Sequence, residues 1–282
     1  MRTRALFVAG LMVAALVVAS GVAWAASISC PNRSGNLCVG TDNRDTMTGR
    51  DGRTDDMRAR GGADEMRGRG GADSMLGQLG GDTVSGQDGP DALSGGPGAD
   101  ALGGGKGKDD LSGGEGPDSL NGGGADDTYN FGIDDWGNDT ISDATNADND
   151  PLTGNFAEFG FPDPLDTGVV VNLTSSANSP EVFNGAVTGA VNWSNNAIDG
   201  VYVGTTPGAN VTGNGLANTL NVDSTANDTV SGGAGNDWIS VSDFSGGDSV
   251  DCGEDGAGVA DEDKVFVDPG DTHTNCERVN GQ

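Results

Sequence analysis

The 282-residue chain holds one histidine, two tyrosines and fourteen basic residues, and each scarcity removes a class of function. A lone histidine, His273, cannot build the H-E-x-x-H helix of a zinc protease, and it reads as a loop residue. No G-x-S-x-G nucleophile elbow occurs, and acids are so widespread that no pair of them singles out a glycosidase site. The four cysteines form no C-x-x-C motif, so zinc and redox readings fall away. Fourteen basic residues against 43 acidic ones leave a net charge of −29, which repels nucleic acid and anionic membranes and attracts divalent cations. Aromatics at 5% and 51 glycines point away from a conventional globular core. Helix signals are nearly missing.

Long apolar runs are also scarce. The exception lies at the start: Arg2 and Arg4, an apolar run from Ala5 to Val18, then Ala23-Trp24-Ala25. This charged, apolar and small-residue series reads as a secretory signal over residues 1–25; the run is too short and Ala-rich for a membrane anchor. Its removal takes two arginines and no acids, so the mature charge is about −31. The mature chain is expected to be secreted and extracellular, with no transmembrane segment. In that setting Cys30 with Cys38 and Cys252 with Cys276, two sequence-local pairs, are the natural disulfides, although other pairings are open.

What the chain does have is a period. Asp45, Asp55, Asp64, Asp73, Asp82, Asp91, Asp100, Asp109, Asp118 and Asp127 stand nine residues apart, except for one step of ten near Gly52. Two residues after each comes an apolar or aromatic side chain: Met47, Met57, Met66, Met75, Val84, Leu93, Leu102, Leu111, Leu120 and Tyr129. Glycine-rich turns precede them, most fully at Gly95-Gly96-Pro97-Gly98, Gly104-Gly105-Lys106-Gly107 and Gly113-Gly114-Glu115-Gly116. Such regularity marks an array of small identical units. The first, second and fourth glycines allow positive φ, so carbonyl oxygens turn inward, while the sixth-place aspartate adds a hard anionic oxygen. Carbonyls and carboxylates without imidazole or thiolate suit calcium. The eighth-place side chain is expected in a short strand, pointing into the coil. One buried apolar side chain per nine ordered residues returns less free energy than the ordering costs, so bound cations are expected to be needed for folding.

The array resembles the haemolysin-type RTX nonapeptide family, whose consensus is G-G-x-G-x-D-x-U-x, U being a large apolar residue. The resemblance covers about a third of the chain. It implies an all-β fold: a parallel β-roll, or β-solenoid, of calcium-binding nonapeptide repeats with two repeats per coil. Calcium would then lie between turns stacked eighteen residues apart. Asp45, Asp64, Asp82, Asp100 and Asp118 would line one edge, and Asp55, Asp73, Asp91, Asp109 and Asp127 the other. Gly95, Gly98, Gly104, Gly107, Gly113 and Gly116 would serve the metal sites. Two rows of five leave about eight gaps for Ca2+. Residues 127–141 also resemble the segment that often follows such arrays.

Departures from the consensus mark the early repeats. Thr41, Arg50, Arg60, Arg69, Gln78 and Gln87 replace the second glycine, Asn43 and Ala125 the fourth, and Ala59 a first. Those turns are expected to bind weakly or not at all. Arg33, Arg44, Arg50, Arg53, Arg58, Arg60, Arg67 and Arg69 hold most of the mature positive charge. They read either as counter-charge for neighbouring aspartates or as a basic strip for an acidic surface polysaccharide.

The organisation expected is a signal (1–25), a leader with the first cysteine pair (26–38) and the main roll (39–131). An intervening β-rich segment (132–212), a looser second array (213–251) and a disulfide-closed cap (252–282) follow. In the second array Asp228 and Asp237 are candidate metal ligands. The function expected is secreted, non-enzymatic calcium binding with no catalytic residues. A calcium-dependent adhesin or acidic-polysaccharide-binding module is the alternative, and a β-helical polysaccharide-modifying enzyme a more distant one.

Overall fold

The computed structural model describes residues 25–30, 37–132, 138–142, 156–160, 169–172, 181–184, 187–193, 200–204, 208–223, 227–241, 247–254 and 262–280. Residues 1–24 of the expected secretory signal (1–25) and Arg33 therefore lie outside the described residues. No helix occurs among the described residues; the strands form one 14-stranded and one 12-stranded sheet. Consecutive strands of the main array alternate between the two sheets, and almost every pairing is parallel. The chain is an all-β parallel β-solenoid, as expected.

Eighteen residues make one coil. Val84 stands beside Leu102 and Leu102 beside Leu120 in one sheet; Met75, Leu93, Leu111 and Tyr129 stack likewise in the other. At the N-terminal end the offset is nineteen, Met47 facing Met66 and Cys38 facing Met57, which absorbs the one long repeat step. Period-two alternation decides which side chains enter. In Ala101–Lys106 the residues Leu102 and Gly104 are buried, whereas Ala101 is exposed. All ten eighth-place residues from Met47 to Tyr129 are buried, each worth about 1.5–3 kcal/mol.

The two apolar columns run on beyond the main array. One continues through Ile141 and then Val211, Val230 and Val250; the other through Ala157, Val201, Leu220, Ile239 and Val265. Between them an antiparallel excursion, Glu181–Asn184 paired with Val169–Asn172 and Val187–Trp193, interrupts the parallel order. Cys30 bonds Cys38 and Cys252 bonds Cys276, the sequence-local pairs. His273 is in a strand, not a loop: Thr272–Thr274 is the last strand of the larger sheet, and His273 takes the register position of the apolar column beside Val250. It is exposed there.

The turns settle one expectation in physical terms. Arg60, Arg69, Gln78 and Gln87 hold positive φ of 75–85°, and Gly96, Gly105, Gly114 and Gly123, at the same place in later repeats, hold positive φ of 100–120°. Ala125 takes φ 99° at a fourth place. The left-handed turn therefore survives without its glycines, at a cost of about 1–2 kcal/mol per non-glycine residue. Among the described residues the arginines form no single strip. Arg58 and Arg60 lie on the outer face of the 12-stranded sheet, and Arg67 and Arg69 on that of the 14-stranded sheet. Several pair with acids of their own coil or the next: Arg58 with Asp56, Arg67 with Glu65, Arg69 with Asp51.

Candidate metal centre

Two rows of buried aspartates run along the edges of the solenoid where turns meet strands. The first holds Asp45, Asp64, Asp82, Asp100, Asp118 and Asp139; the second Asp55, Asp73, Asp91, Asp109 and Asp127. Each is at most 3% exposed. The division into two rows is the one expected from the eighteen-residue step.

One repeated hydrogen bond builds both rows. The backbone N–H of each aspartate donates to Oδ1 of the aspartate one coil later, at 2.8 Å from Asp100 to Asp118 and 2.8 Å from Asp91 to Asp109. The residue after each aspartate donates its N–H to the aspartate carbonyl one coil earlier, as Ser119 does to Asp100 at 2.8 Å. These bonds occupy one carboxylate oxygen. The other, Oδ2, is buried without a hydrogen-bond partner in Asp64, Asp73, Asp82, Asp91, Asp100 and Asp118. Six such oxygens in register are costly unless something positive meets them.

Their electrostatics agree. Burial pushes Asp100 and Asp118 up to about 7 and Asp64, Asp73 and Asp139 up to about 6; the accepted backbone N–H opposes the shift in each. Charged row neighbours add to the rise, Asp82 and Asp118 around Asp100, and Asp91 and Asp55 around Asp73. Asp82 and Asp91 are raised by burial as well.

Glycine makes room for this arrangement. A Cβ on Gly68, Gly77, Gly86, Gly95 or Gly113 would strike Oδ2 of the aspartate that follows in the same turn. A Cβ on Gly98 or Gly116 would strike the carbonyl oxygen of Gly80 or Gly98, one coil earlier. Turn carbonyls are therefore packed in columns beside the carboxylates. Gly95 and Gly113 carbonyls already accept ladder bonds from Gln78 and Gly96, at 2.7 and 2.8 Å, which leaves each a second lone pair. Among the described residues no three Asp, Glu, His or Cys side chains converge on one point. A metal here must rest on a carboxylate or two plus backbone carbonyls, a donor set for a hard cation such as calcium and not for zinc or copper.

The rows extend past the main array through residues the sequence reading missed. Asp228 donates to Asp248 Oδ1 at 2.7 Å, Asn218 to Asp237 at 2.8 Å and Asp237 to Asp263 at 2.7 Å. Asp228 and Asp237 thus occupy the expected position, and Asp139, Asn218, Asp248 and Asp263 join them. Each of these has the acid-or-amide, any, apolar step in sequence; it is plain at Asn218-Thr219-Leu220, beside Asp228 and Asp237, while irregular spacing hid it at Asp139-Thr140-Ile141, Asp248-Ser249-Val250 and Asp263-Lys264-Val265.

The fold and its edges define a class: a parallel β-solenoid carrying columns of buried turn carboxylates. Four stretches of the chain, 51–84, 76–111, 103–141 and 212–243, match the RTX calcium-binding nonapeptide repeat. Over these residues the chain is made of haemolysin-type RTX repeats. No curated protein matches the chain.

Proposed function

We propose that the chain is a secreted, non-catalytic calcium-binding protein whose roll folds when calcium reaches it outside the cell. The observation that carries this reading is the set of six buried Oδ2 atoms without partners, in rows whose first oxygens are already spent on the backbone. Calcium would supply the positive charge that permits stacked carboxylates to remain ionised in a dry edge. The chain's own residues do the rest. Asp64, Asp73, Asp82, Asp91, Asp100, Asp109, Asp118 and Asp127 present oxygens from strand ends, and the N–H ladder holds each carboxylate in one rotamer. Gly95, Gly98, Gly104, Gly107, Gly113 and Gly116 bring turn carbonyls close to them. Asp228 and Asp237 offer the same arrangement near the C-terminal end.

Secretion follows from the signal-like residues 1–25, and a calcium-poor cytosol would leave the roll unfolded until export. No helix among the described residues is long and apolar enough to cross a membrane. The test is a calcium titration of the mature protein followed by far-UV circular dichroism, with magnesium as control. A cooperative gain of β signal with calcium alone, near 10⁻⁴–10⁻³ M, is the expected outcome at roughly the affinity of extracellular modules. A spectrum that ignores calcium, whether coil or β throughout, overturns the reading.

A further inference from the structure

The first aspartate of each row is unlike those after it. In the Asp55 turn, Arg50 is buried and only 9% exposed. Its Nε donates to Asp55 Oδ1 at 2.7 Å and its Nη2 to the same oxygen at 2.5 Å, while its backbone N–H donates to Oδ2 at 2.6 Å. Nη2 also reaches the Thr54 carbonyl at 3.2 Å. Both oxygens of Asp55 are thus satisfied from within its own turn, one of them by a positive charge. In the Asp45 turn Thr41 occupies the equivalent second place. Its N–H and Oγ1 donate to Asp45 Oδ2 at 2.6 and 3.0 Å, and the Ala26 N–H donates to Oδ1 at 3.0 Å.

The backbone explains the difference. From Arg60 to Gly123 the second-place residue is left-handed, and the N–H of Gln78 there points to the next coil, to the Gly95 carbonyl. Thr41 and Arg50 do not take the left-handed backbone, and their N–H groups turn in to the carboxylate. The Asp55 turn is also one residue longer than its neighbours, the sole step of ten in the array, with Gly52 at φ 66° in the added length. That length accommodates a guanidinium. Both first turns are also more open: a Cβ on Gly49 would stand 2.8 Å from Asp55 Oδ2 and one on Gly40 2.8 Å from Asp45 Oδ2, against 2.1–2.3 Å in the turns that begin at Gly68 to Gly122.

We propose that the Arg50 guanidinium is a built-in cation that fills the Asp55 turn, and that Thr41 closes the Asp45 turn in the same sense. Calcium loading then begins at Asp64 and Asp73, and the N-terminal coil folds without metal as a template for those that follow. This rests on the calcium reading above. It also gives the burial of Arg50 a purpose: a desolvated guanidinium is tolerated because its partner carboxylate is fixed and one of that carboxylate's oxygens accepts from both Nε and Nη2.

The test is a comparison of the mature wild type with Arg50→Gly, which restores the repeat consensus. Bound calcium is counted by equilibrium dialysis and elemental analysis, and hydrogen exchange is followed by residue in chelator and in calcium. The expected results are about one more ion per chain in Arg50→Gly than in wild type, and residues 45–61 of the wild type protected in chelator while 64–127 are not. An equal or lower count in a folded Arg50→Gly, or wild-type residues 45–61 losing protection in chelator as fully as 64–127, overturns the proposal. The exchange experiment decides the matter in wild type alone should the variant fail to fold. A wild type that binds no calcium at all is a different outcome, since it removes the parent reading.

Discussion

The main array and the C-terminal coils reach the same cross-section by different routes. In the first, aspartates from Asp55 and Asp64 onward follow one another at eighteen residues along each row, and the apolar columns are methionine, leucine, one valine and one tyrosine. In the second, the steps along the rows are 19, 20 and 26 residues, the column is valine, isoleucine and one leucine, and a disulfide ties Cys252 to Cys276. Both keep the same hydrogen bond from an aspartate N–H to the next carboxylate. Register in this fold is therefore held by strand pairing and by that bond, and extra residues are accommodated between strands without moving either. The two regions differ in what supplements them: dense glycine turns and repeated carboxylates in one, β-branched strands and a covalent staple in the other.

Chelation separates them most. Removing calcium is expected to abolish exchange protection across 64–127 and to leave more of it in 209–280, because the staple and the β-branched column do not depend on metal. Equal loss in both regions would show that the whole solenoid is one metal-dependent unit. Leu111→Ala, at a fully buried position, is expected to destabilise the calcium-loaded protein by about 2–5 kcal/mol. Val230→Ala removes fewer atoms from the equivalent column and is expected to cost less, by calorimetry of both variants. Reducing Cys252–Cys276, which spans 24 residues, is expected to cost about 3 kcal/mol and to leave exchange in the main array unchanged.

Glycine substitutions come next in size. Gly98→Ala places a methyl against the Gly80 carbonyl and is expected to cost about 1–3 kcal/mol, whereas Gly103→Ala meets nothing within 4 Å and is expected to be nearly neutral. Urea unfolding of the two calcium-loaded variants checks the contrast. The pH dependence is the smallest and most diagnostic effect. Carboxyls at about 6–7 in the metal-free roll, against 3.8 normally, favour the folded state below pH ~4, and that contribution is lost as pH rises through 6–7. In chelator, β signal is therefore expected to grow on acidification from pH 8 to pH 4. With calcium the sign reverses, because protons compete for the same oxygens; half-saturating calcium is expected to rise roughly tenfold per pH unit below 7 for each proton displaced.

Much of this was legible before any coordinates. The nine-residue step put the residue two places after each aspartate in the core, and the resemblance to RTX repeats, with two repeats to a coil, implied the row of every aspartate from Asp45 to Asp127. Asp139, Asp248 and Asp263 escaped notice because the spacing around them is irregular while their local acid-x-apolar signature is intact. His273 escaped because, in the last strand of its sheet, it has a column neighbour on one side only, Val250, and stays exposed.

The sequence by itself determined that the chain is a repeat array with a hard-oxygen edge, since both are properties that a single period transmits, and its resemblance to RTX repeats implied the class of fold and the two rows. Only the tertiary structure decided which carboxylate oxygens are left over. That depends on where an N–H one coil away, or a guanidinium at Arg50, comes to rest. It also divided the arginines between two faces, because alternate repeats feed opposite sheets, and showed Arg60 and Gln78 in a glycine's conformation, because the ladder on either side holds the turn in place.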